Sequence, residues 1–292
     1  NLLKMTDIMN LDPILNVVKE SSSKFIREMS ELEPEAWEIP SRCHQWAIKD
    51  ICSHTLAIDG FFLNSITRSI AGDGNPSEGM PNPGTGNAQS MASGIASRAI
   101  QISETAFPDV KQLLSTMTNM ESNLIEVFQN LSPQNWHIPA YHPAGQFSPY
   151  LFLKMKLMEI VIHSWDIFSS IDPSYQIRND EAQLLSEVWK ESKITSWLYT
   201  PDQEQTEPVT IDFNFDDNQC LRVQTWRGTL NIFEQPFKKI TPPVTTVETT
   251  YQDFALMVTA RKNIHEAYNI NEISVSGDIS TLEDFHKWFR GS

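Results

Sequence analysis

A disulfide framework is missing from this sequence. Its three cysteines, Cys43, Cys52 and Cys220, are too few and too scattered for one, and none stands in a CxxC pair, which also excludes a cysteine-rich zinc site. Positive charge is scarce. Lys and Arg number 22 against 37 Asp and Glu, a formal net charge of −15. A nucleic-acid backbone or an anionic membrane surface would be repelled by such a chain. A small acidic substrate is not excluded, because one Arg or Lys can act locally inside a pocket. There is no apolar run of about 18 residues and no charged-then-apolar start, so no membrane span or signal peptide is expected and the expected location is cytoplasmic. Glycine is sparse, 11 in 292 residues, and concentrates in one stretch. What is present is ordinary: 40% hydrophobic and 20% charged residues. The length suffices for two domains or one large one with a sizeable core.

Four helical patterns fill the first two thirds. Ile14, Val17, Val18, Phe25, Ile26 and Met29 recur at helical spacing between about Asp12 and Leu32. Trp46 to Ile70 and Val110 to Leu131 repeat the pattern. A fourth helix is expected from Ser148-Pro149, an N-cap followed by proline at the first helical position, to about Ile171. Between the second and third lies AGDGNPSEGMPNPGTGNAQSMASG, residues 71 to 94, too long for a helix hairpin and suited to a crossover connection. After a further helix over Asp180 to Trp197 the period changes. PVTIDFNF and LRVQTW alternate as strands around Asp216-Asp217-Asn218, and GTLNIF and PVTTVETT follow. A short helix (YQDFALMVTAR), a strand (EISVSG) and a closing helix (TLEDFHKWF) complete an α+β unit. The fold class expected is therefore α plus α+β, with a helical domain over 1–198 and an α+β domain over 205–292. The polar, proline-flanked residues 199 to 208 lie between them.

The stretch LMEIVIHSWD, residues 157 to 166, reads as the middle of a buried helix yet holds a glutamate, a histidine and an aspartate. Burying an unpaired carboxylate is costly, so such groups are solvated, paired or bound to a metal. On a helix, Phe152, Met155, Glu159, His163 and Asp166 share one face, and Glu159 and His163 are spaced i,i+4. In KDICSHTLAIDGFF, His54 sits amid Ile51, Ile58 and Phe61, with Asp50 one turn earlier. Two helices thus aim His54, Glu159 and His163 at one interior. A divalent ion held by these three is one reading, and a buried Glu–His ion pair is the other.

The segment WEIPSRCHQWAIKDICSHTLAIDGFF resembles the N-terminal bundle of the DinB-like superfamily, in the branch containing mycothiol-dependent maleylpyruvate isomerase. EIVIHSWDIF is similar to that branch's second motif, Glu-x-x-x-His-x-Trp-Asp, and DFALMVTAR and ISVSGD to its appended sterol-carrier-like domain. The resemblance implies a four-helix bundle with a long crossover, a metal on His54, Glu159 and His163, and a low-molecular-weight thiol taken up as thiolate. Zinc is the first expectation, with iron, nickel or manganese as alternatives; the thiol would be glutathione, bacillithiol or mycothiol, or none, with water activated in its place. The implied activity is transfer, addition or cis–trans isomerisation on a small substrate, and the long Gly/Pro-rich crossover points to a reshaped pocket and a specialised biosynthetic role. Asp166 and Asp50 are candidates for orienting the imidazoles. The resemblance also implies an arginine from the C-terminal domain in the active site. Arg261 in MVTARKN is the best match, Arg222 and Arg227 are rivals, and such a group would suit a carboxylate. His137 and His142, in NWHIPAYHPAGQF, are candidates to line the pocket.

Two other classes stand beside this one. Two histidines and a carboxylate also form an oxygen-activating ferrous site. A C-terminal unit of this kind would alternatively bind a lipid or other hydrophobic ligand above a structural metal. The partner expected is a small molecule, with neither nucleic acid nor membrane, in a monomer or dimer.

Overall fold

The computed structural model describes residues 11–201, 207–234 and 244–289. The chain divides into two compact units. The first holds residues up to Gly86 and Met91–Ile177; the second holds Asn87–Ser90 and everything from Arg178.

The first unit is built on α1 (Leu11–Ser30), α2 (Ile48–Ile70), all but the first turn of α3 (Ala88–Gln101), α4 (Val110–Asn130) and α5 (Pro149–Ile171). Helix α2 packs on α4 and α5, and α1 packs on the same two. The start of α5 follows its sequence: Ser148 Oγ accepts the Leu151 N–H at 3.4 Å and Pro149 holds the first helical position. Helix α5 is buried on nearly every side, which explains its apolar run and makes its ionisable residues conspicuous. One of these is Lys156, which donates to Asp59 Oδ2 at 2.9 Å and to Glu121 Oε2 at 3.2 Å. All three side chains are at most 4% exposed, so the bundle core contains a cation between two carboxylates. Burial pushes the Asp59 carboxyl up to about 7, with the Glu121 charge adding to the rise and Lys156 opposing it. Burial disfavours the Lys156 ammonium, but Asp59 and Glu121 outweigh it and hold that pKa above its usual value.

The crossover differs from the expected loop over 71–94. Helix α3 begins at Ala88 and continues into a π-helical turn, Ile102–Ala106. Its start is signalled by a reciprocal cap: the Ser90 N–H donates to Asn87 Oδ1 at 2.8 Å and the Asn87 N–H donates to Ser90 Oγ at 2.9 Å. The residues before α5 form a hairpin that periodicity did not indicate, β1 (Ala140–His142) against β2 (Gly145–Phe147), with Gly145 at φ 141°. Strand β1 packs on α2.

The second unit contains α6 (Asn179–Trp189), α7 (Ser192–Leu198), and strands β3 (Val209–Asn214), β4 (Cys220–Trp226), β5 (Thr229–Glu234) and β6 (Thr245–Glu248). It continues through α8 (Tyr251–Val258), α9 (Ile264–Asn269), β7 (Ser274–Ser276) and α10 (Ser280–Trp288). The strand order is β5-β4-β3-β6-β7, with β3 and β6 parallel and the other neighbours antiparallel. Alternation in β3 turns Ile211 and Phe213 inward, and Phe213 meets Phe254 of α8 and Phe285 of α10. Asn218, in the expected turn between β3 and β4, takes φ 64°. The change of unit at Ile177–Arg178 lies upstream of the boundary expected at 199 to 208. Helix α6 packs on α8 and α7 packs on β5, so both join the sheet instead of the 1–198 helical domain.

Candidate metal centre

Helices α2 and α5 bring His54, Glu159 and His163 together. His54 Nε2 and His163 Nε2 each lie 3.2 Å from Glu159 Oε2, and the three donor atoms fall within 4.8 Å of one another. The imidazole centroids are 4.9 Å apart at 80°. Helical spacing accounts for the Glu159/His163 half, and the packing of α2 on α5 supplies His54.

Asp166, one turn beyond His163 and fully buried, accepts the His163 Nδ1–H at 2.9 Å. That bond fixes the tautomer and turns Nε2 toward Glu159, the arrangement in which an outer carboxylate orients a metal-binding histidine. Burial alone would raise the Glu159 carboxyl, but its hydrogen bonds to His163 and His54 hold it well below the usual range. Burial would lower His163, yet bonds to Asp166, Cys43 and Glu159 hold its pKa well above the ordinary value. Two imidazoles and an ionised carboxylate, converging with the outer nitrogen already committed, fit a divalent ion of borderline softness.

The other sequence candidates divide. Asp50 caps α2, accepting the Ala47 N–H at 2.9 Å and the Ser103 hydroxyl, so it serves the helix end and not an imidazole. His142 on β1 is buried, while His137 is exposed. The His142 ring stacks on Phe147 at 4.2 Å, and its Nδ1 accepts the Ala144 N–H at 3.1 Å. Burial drives its pKa down to about 3 against the pull of the Glu159 charge, so the ring is neutral near pH 7. In the second unit, Arg222 forms a forked pair with Asp212 at 2.7 and 2.8 Å, and Arg227 lies over the Trp226 ring at 4.4 Å. Arg261, just beyond α8, donates from Nη1 to Thr259 O at 2.7 Å.

Sequence reasoning did not single out Trp46 or Cys43. The loop before α2 is closed by a bridge between Pro40 and Ala47 and by the Ser41 N–H donating to Trp46 O at 2.9 Å. Gln45 takes φ 69° to let it turn. Trp46 is thereby set against both histidines, with centroids at 5.0 Å from His54 and 6.4 Å from His163. The run RCHQW, in a segment otherwise poor in apolar residues, was the available signal.

The fold and the donor set define a helical-bundle protein carrying two histidines and one carboxylate, extended by an α+β unit. The sequence pattern of the mycothiol maleylpyruvate isomerase N-terminal domain matches residues 18–168, just over half of the 292-residue chain, and the chain belongs to that family. Two crystal structures share the architecture at 12% identity, each match covering 86% of this chain and 90% of the other. These are the mycothiol-dependent maleylpyruvate isomerase, at a TM-score of 0.55, and a histidine-to-alanine variant of it, at 0.58. Comparison with curated proteins gives no match. None of the described helices is long and apolar enough to cross a membrane.

Proposed function

We propose that the chain is a metal-dependent enzyme of the thiol-using isomerase type, acting on a small substrate with an activated double bond. The observation that carries this is the convergence of His54 Nε2, His163 Nε2 and Glu159 Oε2 within 4.8 Å, with Asp166 fixing the His163 tautomer. A divalent ion, when bound, would lower the pKa of a coordinated thiol and hold it as thiolate near neutral pH. Three protein donors leave a position for such a ligand, as a catalytic site requires and a closed structural site does not. The reaction class is addition of the thiol sulfur to the alkene, rotation about the resulting single bond, and elimination.

The protein's own groups have separate tasks. Glu159 supplies the negative charge, Asp166 keeps the His163 Nδ1 proton in place, and Trp46 covers the two imidazoles and excludes water from that side. Arg261 is our candidate to bind a substrate carboxylate. A role in specialised biosynthesis is part of the same proposal. A lipid carrier is less well supported. One cleft of the second unit, about 410 Å³, carries the carboxylates of Asp180, Glu187, Asp217 and Glu234 beside Leu184, Phe215 and Leu221, and that negative charge is a poor match for a fatty acid's own carboxylate.

Elemental analysis of protein purified without added metal tests the reading. One divalent ion per chain is expected, lost in His163→Ala and His54→Ala with helical content retained. Full stoichiometry in both variants would place the metal elsewhere. With cobalt bound, a sulfur-to-metal charge-transfer band on titration with glutathione, bacillithiol or mycothiol would name the thiol. No band with any of the three, together with iron and oxygen uptake, would favour the ferrous alternative.

A further inference from the structure

We propose that Cys43 is a positioning residue for His163, acting through Asp166 and through its own contact with the imidazole. It rests on the metal reading above and goes one residue beyond it. The Cys43 Sγ lies 3.1 Å from Asp166 Oδ2, the same oxygen that accepts the His163 Nδ1–H at 2.9 Å. One carboxylate oxygen thus takes two donors, a thiol and an imidazole. A chain of contacts runs from the loop before α2 to the donor set: Cys43, Asp166, His163, Glu159, His54.

Burial makes the thiol matter. Asp166 is fully buried and Cys43 is 7% exposed, so water is poorly placed to take over the hydrogen bond. A buried carboxylate short of donors is costly and tends to rotate toward another donor, which would release the His163 Nδ1–H and loosen the aim of Nε2. With the thiol in place, the carboxylate oxygen has a second donor beside the imidazole. Outer partners of this kind typically change metal affinity by about 10- to 100-fold when removed.

The backbone carrying Cys43 is anchored without the thiol. The Arg42 N–H donates to Asp166 O at 3.1 Å, and the Arg42 guanidinium donates to Ser169 O at 2.8 Å and to Ser169 Oγ at 3.3 Å. The Pro40–Ala47 bridge and the Ser41–Trp46 bond close the loop on itself. The thiol can therefore be exchanged while these anchors stay. It forms no disulfide.

The test compares full-length wild type, Cys43→Ser and Cys43→Ala. Zinc affinity is measured by competition with a chromophoric chelator, and the ligand-field spectrum is recorded with cobalt. Cys43→Ala should bind zinc about 10-fold more weakly or worse, with unchanged stoichiometry at saturation and a shifted cobalt spectrum. Cys43→Ser keeps a donor and should stay within about 3-fold of wild type. In an Asp166→Asn background, Cys43→Ala should cost less than in the wild type, because the carboxylate that the thiol shares with His163 is gone. Wild-type affinity in Cys43→Ala overturns the inference. So does serine failing to rescue, or a full additive loss in the Asp166→Asn background, which would make the sulfur a ligand or a packing group. Wild type that takes up no metal sinks the metal reading itself, whatever the variants do.

Discussion

Removing the buried cation of the bundle core is the sharpest test of how these helices tolerate charge. In Lys156→Met a side chain of similar length replaces the ammonium that Asp59 and Glu121 share at 2.9 and 3.2 Å. Breaking a buried pair from one side leaves an uncompensated charge and costs about 3–5 kcal/mol. The cost must depend on pH. The Asp59 carboxyl, raised to about 7 from 3.8, binds its proton more tightly folded than unfolded. Its contribution to stability is thus complete below about pH 4 and is lost as pH rises through about 7. Without Lys156 the Asp59 carboxyl sheds its proton still less readily, so the loss extends to higher pH. Urea unfolding followed by circular dichroism at 222 nm should show the largest deficit near pH 8 and a smaller one near pH 5. Adding Asp59→Asn and Glu121→Gln to Lys156→Met should restore most of the stability, since neutral groups no longer need the ammonium. A deficit under about 1 kcal/mol at pH 8, or an equal deficit at both pH values, would refute the reasoning.

Other outcomes follow from the site and its supports. His163 is held protonated in the metal-free protein, so metal uptake near pH 7 should release about one proton, read from binding heats in buffers of different ionisation enthalpy; no buffer dependence would contradict the assignment. By the same shift, the stability that His163 lends the metal-free protein is full below about pH 6.5 and is lost as pH rises through its raised pKa, which a thermal melt series would register. Ser148→Ala should cost about 1 kcal/mol by uncapping α5, and no change in melting would remove the cap from the account. Gln45→Gly should be neutral or stabilise by up to about 1 kcal/mol, because φ 69° suits glycine; a marked loss would show that the glutamine side chain has a role of its own.

The convergence of His54, Glu159 and His163 was legible because these residues contradict their surroundings. A glutamate and a histidine four apart in an apolar helix, and a second histidine in another, need a common explanation. Lys156 carries the same kind of contradiction, but its partners lie 97 and 35 residues away, and no local spacing connects them. The helix ends around Ser148 and Pro149 followed local rules and were read correctly. Helix α3 was hidden by the glycine- and proline-rich run before it, although Asn87 and Ser90 form a local cap. The β1–β2 hairpin has three residues per strand, too few for alternation to register. The placement of α6 and α7 with the sheet depends on which neighbour covers their apolar faces, and periodicity specifies only that something must.

The separation of the donors along the chain has a bearing on synthesis. Glu159 and His163 are one helical turn apart, whereas His54 meets Glu159 across 105 residues. During translation the first histidine emerges long before the glutamate exists, and the near pair can attract an ion before the far histidine docks. Two-coordinate capture is weak and unselective. Tight retention requires α2 and α5 to have closed on each other. On the proposed metal reading, metal content in newly made protein would count completed bundles, and a fold-impairing variant far from the donors would register first as a deficit of metal.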